Sequence, residues 1–72
     1  MNRKVFINTE YITLGQMLKY ENILDSGGLV KDFLLSKKVT VNKNYENRRG
    51  KKLFPGDIVG IEKIGIFEIV KK

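Results

Sequence analysis

Three observations predict a small α+β fold: two short stretches with helical spacing of apolar residues, β-prone alternating runs over the second half, and turn residues between those runs. The expected order is a strand or extended arm within residues 1–12, two helices, then three or more antiparallel strands ending in a hairpin over 57–70, all in one domain spanning residues 1–72. At 42% hydrophobic and 31% charged, the composition is that of a folded globule. A chain this short buries only about 60% of the surface its unfolded form exposes, which leaves little room for a deep substrate pocket.

Val5-Phe6-Ile7 is the β-prone start. Thr13 is a good N-cap, and Gln16 three residues on completes a capping box, with Ile12 and Met17 at the positions of a hydrophobic staple. Leu14, Met17 and Leu18 then form the apolar stripe of a helix of about two turns. Ile23 and Leu24 read as plugs that seat a polar connection on the core. Asp25-Ser26-Gly27-Gly28 opens the second helix, with Ser26 or Asp25 as cap and Leu29, Val30, Phe33 and Leu34 as its buried face. Its first amides could receive a phosphate as well as a capping side chain, although the glycine pair lacks the ending of a phosphate-binding loop.

Val39-Thr40-Val41-Asn42 alternates as a strand should, and Asn42-Lys43-Asn44 is a turn candidate. Arg49-Gly50 and Pro55-Gly56-Asp57 mark two more turns, with Asp57 fixing the second. Lys63-Ile64-Gly65 turns Ile58–Ile61 back into Ile66–Val70. In these last strands Val59, Ile61, Phe67 and Ile69 form one alternating set and Ile58, Ile66 and Val70 the other. The first set is expected under the helices. The second is expected to be covered by the N-terminal arm or by sheet curvature, with a homodimer or docking face as the alternative. Phe33, Phe54 and Phe67 read as core, and Tyr11 and Tyr20 as packing beside the first helix.

Charge carries most of the functional signal. The net charge is +6, and residues 1–36 balance Arg3, Lys4, Lys19 and Lys31 against Glu10, Glu21, Asp25 and Asp32, so the excess lies wholly in the second half. Lys37, Lys38, Lys43, Arg48, Arg49, Lys51 and Lys52 form a basic cluster interrupted only by Glu46. Lysines at a helix end complement its dipole, which accounts for Lys37 as well as a ligand would. Crowding four cations around Gly50 costs self-repulsion that a phosphate backbone would relieve. Arg48 and Arg49 suit bidentate grip and the lysines general attraction, while Tyr45, inside the segment, could stack on an unpaired base.

Catalysis and metal binding find no support. The chain has neither histidine nor cysteine, which removes zinc ligands and the usual nucleophile and base pairs, and no spacing singles out a pair of carboxylates. No cofactor is expected. No segment reaches the roughly 20 apolar residues of a membrane span, and the start lacks a signal-type apolar run, so a cytoplasmic location is the expectation.

From Thr13 to about Glu62 the chain resembles the S4 RNA-binding domain, and over its whole length it is most similar to the stand-alone YaaA group of S4 domain proteins. The resemblance is carried by Ile12–Lys19, Asp25–Leu34, Val39–Asn42, Asn47–Leu53 and Pro55–Val59, in that order and spacing. It implies two helices on a small, bent antiparallel sheet, with structured RNA held along the second helix and the adjoining β-turn. Ser26, Gly27, Lys31 and Lys37 then fall on the helix side of the RNA face, and Lys38, Asn42, Lys43, Arg48 and Arg49 continue it around the sheet. A ribosome-linked role in ribosome biogenesis is implied too. The chain departs from the family pattern at Thr13 and Gly15, which flank Leu14 where Arg-Leu-Asp is common, so that a basic contact is missing at that end, at Val30 where alanine is frequent, and at Lys38 and Lys43, where glycine is usual. A lysine in a left-handed conformation there would be strained and so retained for its charge.

The reading is a non-catalytic, monomeric binder of structured RNA, ribosomal RNA or a ribosomal particle in the first place, with duplex DNA ranked well below. The alternative is a protein-interaction or assembly domain that uses an exposed apolar sheet face.

Overall fold

The computed structural model describes residues 2–24, 27–36 and 38–72, with backbone alone at residues 27–29. The elements are β1 (Asn2–Ile7), β2 (Ile12–Thr13), α1 (Leu14–Tyr20), α2 (Gly27–Leu35), β3 (Val39–Val41), β4 (Asn44–Tyr45), β5 (Lys52–Leu53), β6 (Ile58–Ile61) and β7 (Gly65–Lys71). Five strands form one sheet in the order β1-β7-β6-β3-β4, and β2 and β5 form a second, two-stranded sheet.

The start of α1 is the expected capping box: the Gln16 amide donates to Thr13 Oγ1 at 3.3 Å, and the Thr13 amide donates to Gln16 Oε1 at 3.0 Å. Its end is a Schellman motif that the sequence reading did not find. Asn22 takes a left-handed φ of 59° and donates to the Lys19 carbonyl, and Ile23 donates to the Leu18 carbonyl at 2.9 Å. That geometry turns Ile23 and Leu24 onto the core, where both pack as the expected plugs.

Period-two alternation decides which side chains are buried. Val59, Ile61, Phe67 and Ile69 join Val5, Ile7, Val39 and Val41 on the inner face of the large sheet, against Leu14, Met17 and Leu18 of α1 and Val30 and Leu34 of α2. Phe33 is half-buried beside them. The proposed caps Asp25 and Ser26 and the Leu29 side chain lie outside the described residues.

The sheet is mixed, not antiparallel throughout. β1 runs parallel to β7 with Val5 opposite Ile69, whereas β7, β6, β3 and β4 pair antiparallel. No turn joins β1 to β7, so no hairpin dictates their direction, and this register places Val5 and Ile7 inward beside Ile69.

Two further expectations are corrected. β1 extends the sheet edgewise instead of folding over it, so the outer face stays open, with Ile66 47% exposed and Phe6 and Ile58 also exposed. Phe54 is 42% exposed rather than core. Leu53 takes the inward position in β5, and alternation turns the next side chain outward, onto Tyr11, with ring centroids 5.8 Å apart.

Candidate nucleic-acid interface

The basic loop after β4 is fastened to the first turn of α1 by backbone hydrogen bonds. The first helical amides have no partner within the helix, and here loop carbonyls serve them: Leu14 donates to Lys51 O at 2.8 Å and Gly15 to Arg49 O at 2.9 Å. With Gln16 held by Thr13, these amides are all occupied, so the start of α1 offers no free donors to an anion. The partly negative carbonyls sit at the positive end of the helix dipole.

Gly15 lets the loop come this close. A Cβ there would lie 3.3 Å from both Arg49 Cβ and Arg49 O, and 3.8 Å from Val30 Cγ1. The missing side chain at position 15 thus faces the branched side chain of Val30.

Cations of the expected site separate into distinct neighbourhoods. Arg49 and Gly50 share a groove with Lys19, Thr13, Gln16 and Val30, which sets a basic pair beside α2. Lys38 and Tyr45 line a trough on the outer sheet face together with Thr40, Gly60 and Lys63. Tyr45 is 71% exposed there, and Gly60 forms the floor because a Cβ would come 2.8 Å from Thr40 Oγ1. Lys52 extends away from both, its Nζ 4.9 Å from the centroid of the Tyr11 ring. Lys31 is exposed on α2 and Lys51 is half-buried in the loop. Gly27 is the first residue of α2, whereas Ser26 and Lys37 lie outside the described residues.

Two expected contacts are already engaged within the protein. The Arg48 guanidinium forks onto Glu46, with Nε to Oε2 at 2.9 Å and Nη2 to Oε1 at 3.1 Å. That hydrogen-bonded pair holds the Glu46 carboxyl below its usual range and raises Arg48. Glu46, the one acid within the basic cluster, is therefore paired with one of its cations. Asn42 accepts from the Ile58 amide at 3.0 Å and donates to Asp57 Oδ1 at 3.1 Å, while Asp57 Oδ2 accepts from the Phe54 amide at 2.9 Å. Asp57 does fix its turn, and Asn42 ties that turn to β3.

Lys43 has a left-handed φ of 73°, beside Asn42 at 51°, and Lys63 has 66° in the turn before β7. Asparagine tolerates this region, whereas a lysine there is uncommon and strained. Sequence reading missed Lys19 and Lys63. Lys19 lies three residues beyond Gln16 and so shares its helix face, but only tertiary structure shows that Arg49 meets that face. Among the described residues no group of carboxylates could hold a metal ion, and no helix is long and apolar enough to cross a membrane.

The S4 domain family model matches residues 5–70. The chain is 49% identical over 70 residues to the probable ribosome maturation protein RlbA of Bacillus subtilis (strain 168), covering 97% of this chain and 99% of that protein. No solved structure matches. A family match over nearly the whole length, together with a full-length relative, shows that the chain belongs to the S4 domain family.

Proposed function

We propose that the protein binds structured RNA without catalysing a reaction, and that this RNA is ribosomal. The groove that Arg49 and Lys19 share beside α2 carries the reading, because the loop that presents Arg49 is fastened through its backbone, which fixes the point from which that side chain reaches out. Such an arrangement suits recognition of shape and phosphate position with little base readout. Lys31, Lys38, Lys43, Lys51 and Lys52, spread over other parts of the surface, add longer-range attraction, and Ser26, Gly27 and Lys37 are further RNA contacts in this reading. The full-length relative is named for ribosome maturation, which favours a target on a ribosomal particle and, with it, a cytoplasmic location.

Binding of a labelled ribosomal-RNA hairpin, its single-stranded counterpart and a DNA duplex across a salt series tests this reading. The hairpin is expected to bind tightest, with affinity falling as salt rises. Lys19→Glu combined with Arg49→Glu should weaken it at least tenfold while circular dichroism stays native. Equal and weak binding to all three nucleic acids refutes the reading.

A second reading rests on the outer sheet face, where Phe6, Ile58 and Ile66 are exposed around Glu68 and Lys4. There the domain would dock on a protein or on a second copy of itself. Sedimentation tests the homomeric form: a concentration-dependent dimer supports it, and a monomer at all concentrations refutes it.

A further inference from the structure

We infer that the cleft between Tyr11 and Tyr20 takes an unpaired nucleobase of the bound RNA, an inference that rests on the RNA-binding reading above. Sequence reasoning treated both rings as packing, yet Tyr11 is 38% and Tyr20 62% exposed. Both line one open cleft of about 550 Å³ with Thr9, Glu10, Ile12 and Gln16. Gln16 and Tyr20 are four residues apart on α1, so they share a helix face.

Three features assign this cleft to a nucleobase. The exposed Tyr20 ring offers a stacking surface that any base can use, while Tyr11, engaged by Phe54 and Lys52, forms part of the wall, and RNA recognition favours splayed-out bases of bulges and loops over paired ones. The cleft also adjoins the basic groove: Gln16 lines both, with Arg49 and Lys19 on one side and the tyrosines on the other. A strand whose phosphates lie at Arg49 could therefore place a neighbouring base over Gln16 without leaving the surface. Finally, cations border the cleft on its other sides. Lys52 sits over the Tyr11 ring, Lys71 Nζ donates to the Thr9 carbonyl at 3.1 Å, and Lys72 lines the adjoining hollow beside Tyr20. Glu10 is the one acid in the lining. The Gln16 oxygen is engaged by the Thr13 amide, so its amide nitrogen is what it offers to an acceptor on the base edge.

The test compares a fluorescein-labelled RNA hairpin carrying one bulged 2-aminopurine with the same hairpin fully paired. The wild-type protein should prefer the bulged hairpin and quench the 2-aminopurine. Tyr20→Leu, at an exposed position, should lower affinity for the bulged hairpin about fivefold or more and leave the paired one unchanged, whereas Tyr20→Phe, which keeps the ring, should behave as wild type. Wild-type binding to both hairpins with equal affinity overturns the inference and leaves RNA binding standing. A Tyr20→Leu protein with unchanged RNA preference also overturns it, and if that variant has lost its retention on ribosomal particles the cleft serves a protein instead. Binding to neither hairpin refutes the RNA reading itself, and the inference falls with it.

Discussion

Replacing Gly15 with alanine sets two opposed effects against each other, and the fastening of the basic loop decides the sign. In a free helix the change would be favourable, since glycine costs roughly 0.5–1 kcal/mol relative to alanine. Here the added Cβ meets Arg49 Cβ and Arg49 O at 3.3 Å, closer than ordinary contact, and the carbonyl involved accepts the Gly15 amide at 2.9 Å. Relief requires the loop to withdraw, which lengthens that bond and its neighbour from Leu14 to Lys51. Overpacking of this kind costs about 1–3 kcal/mol, so the net effect should be a destabilisation of about 1 kcal/mol, or roughly 4–8 °C in the melting temperature of a domain this size. Gly50→Ala is the control, because a Cβ there meets nothing within 4 Å, and it should be neutral or slightly stabilising. Urea unfolding of both variants gives the energies, and hydrogen exchange should show faster exchange at the Leu14 and Gly15 amides in Gly15→Ala. A Gly15→Ala protein stabilised by the full helix-propensity gain, with both amides still protected, would refute the fastened loop.

Glu46→Gln should free Arg48 and raise affinity for an RNA hairpin at low salt, as measured by anisotropy. The same pair predicts a pH effect on stability. Arg48 lowers the folded pKa of Glu46, so its contribution is fully present above the ordinary carboxylate value near 4.3 and is lost as pH falls through the lowered one; urea midpoints at pH 3 and 6 should differ less in Glu46→Gln than in wild type. Lys43→Gly removes a lysine from a left-handed position and should stabilise the fold by up to about 1 kcal/mol in urea, while weakening hairpin binding if the cation touches phosphate. Asp57→Ala leaves the Phe54 amide and the Asn42 side chain without their acceptor and should cost about 1–2 kcal/mol by the same measurement.

What could be read in the sequence was local. The Thr13 and Gln16 capping box is a three-residue relationship, and the inward set from Val59 to Ile69 follows from alternation, so both were legible. The direction of β1 was not, because its partner β7 lies at the far end of the sequence with no turn between them. Phe33, Phe54 and Phe67 were assigned to the interior by hydrophobicity, but a 72-residue chain has too little interior for every ring, and Phe54 remains at the surface with Tyr11 and Tyr20. At the site, the basic loop was visible as a block of charge. Its division was hidden, since Lys19 and Arg49 come to share a groove only through tertiary packing. The Arg48 and Glu46 pair could have been found, being two residues apart in an extended segment with side chains on one side.

The parallel pairing of β1 with β7 also bears on how the chain folds. Val5 and Ile69 are separated by 64 positions, and their contact closes a loop containing most of the molecule. Entropy charges for that closure before the pairing rewards it, whereas α1 and the β6–β7 hairpin form from neighbours. During synthesis β1 is made first and must wait with its Val5 and Ile7 side chains unpaired until β7 has left the ribosome. The edge of the sheet that β1 forms therefore depends on the synthesis of β7.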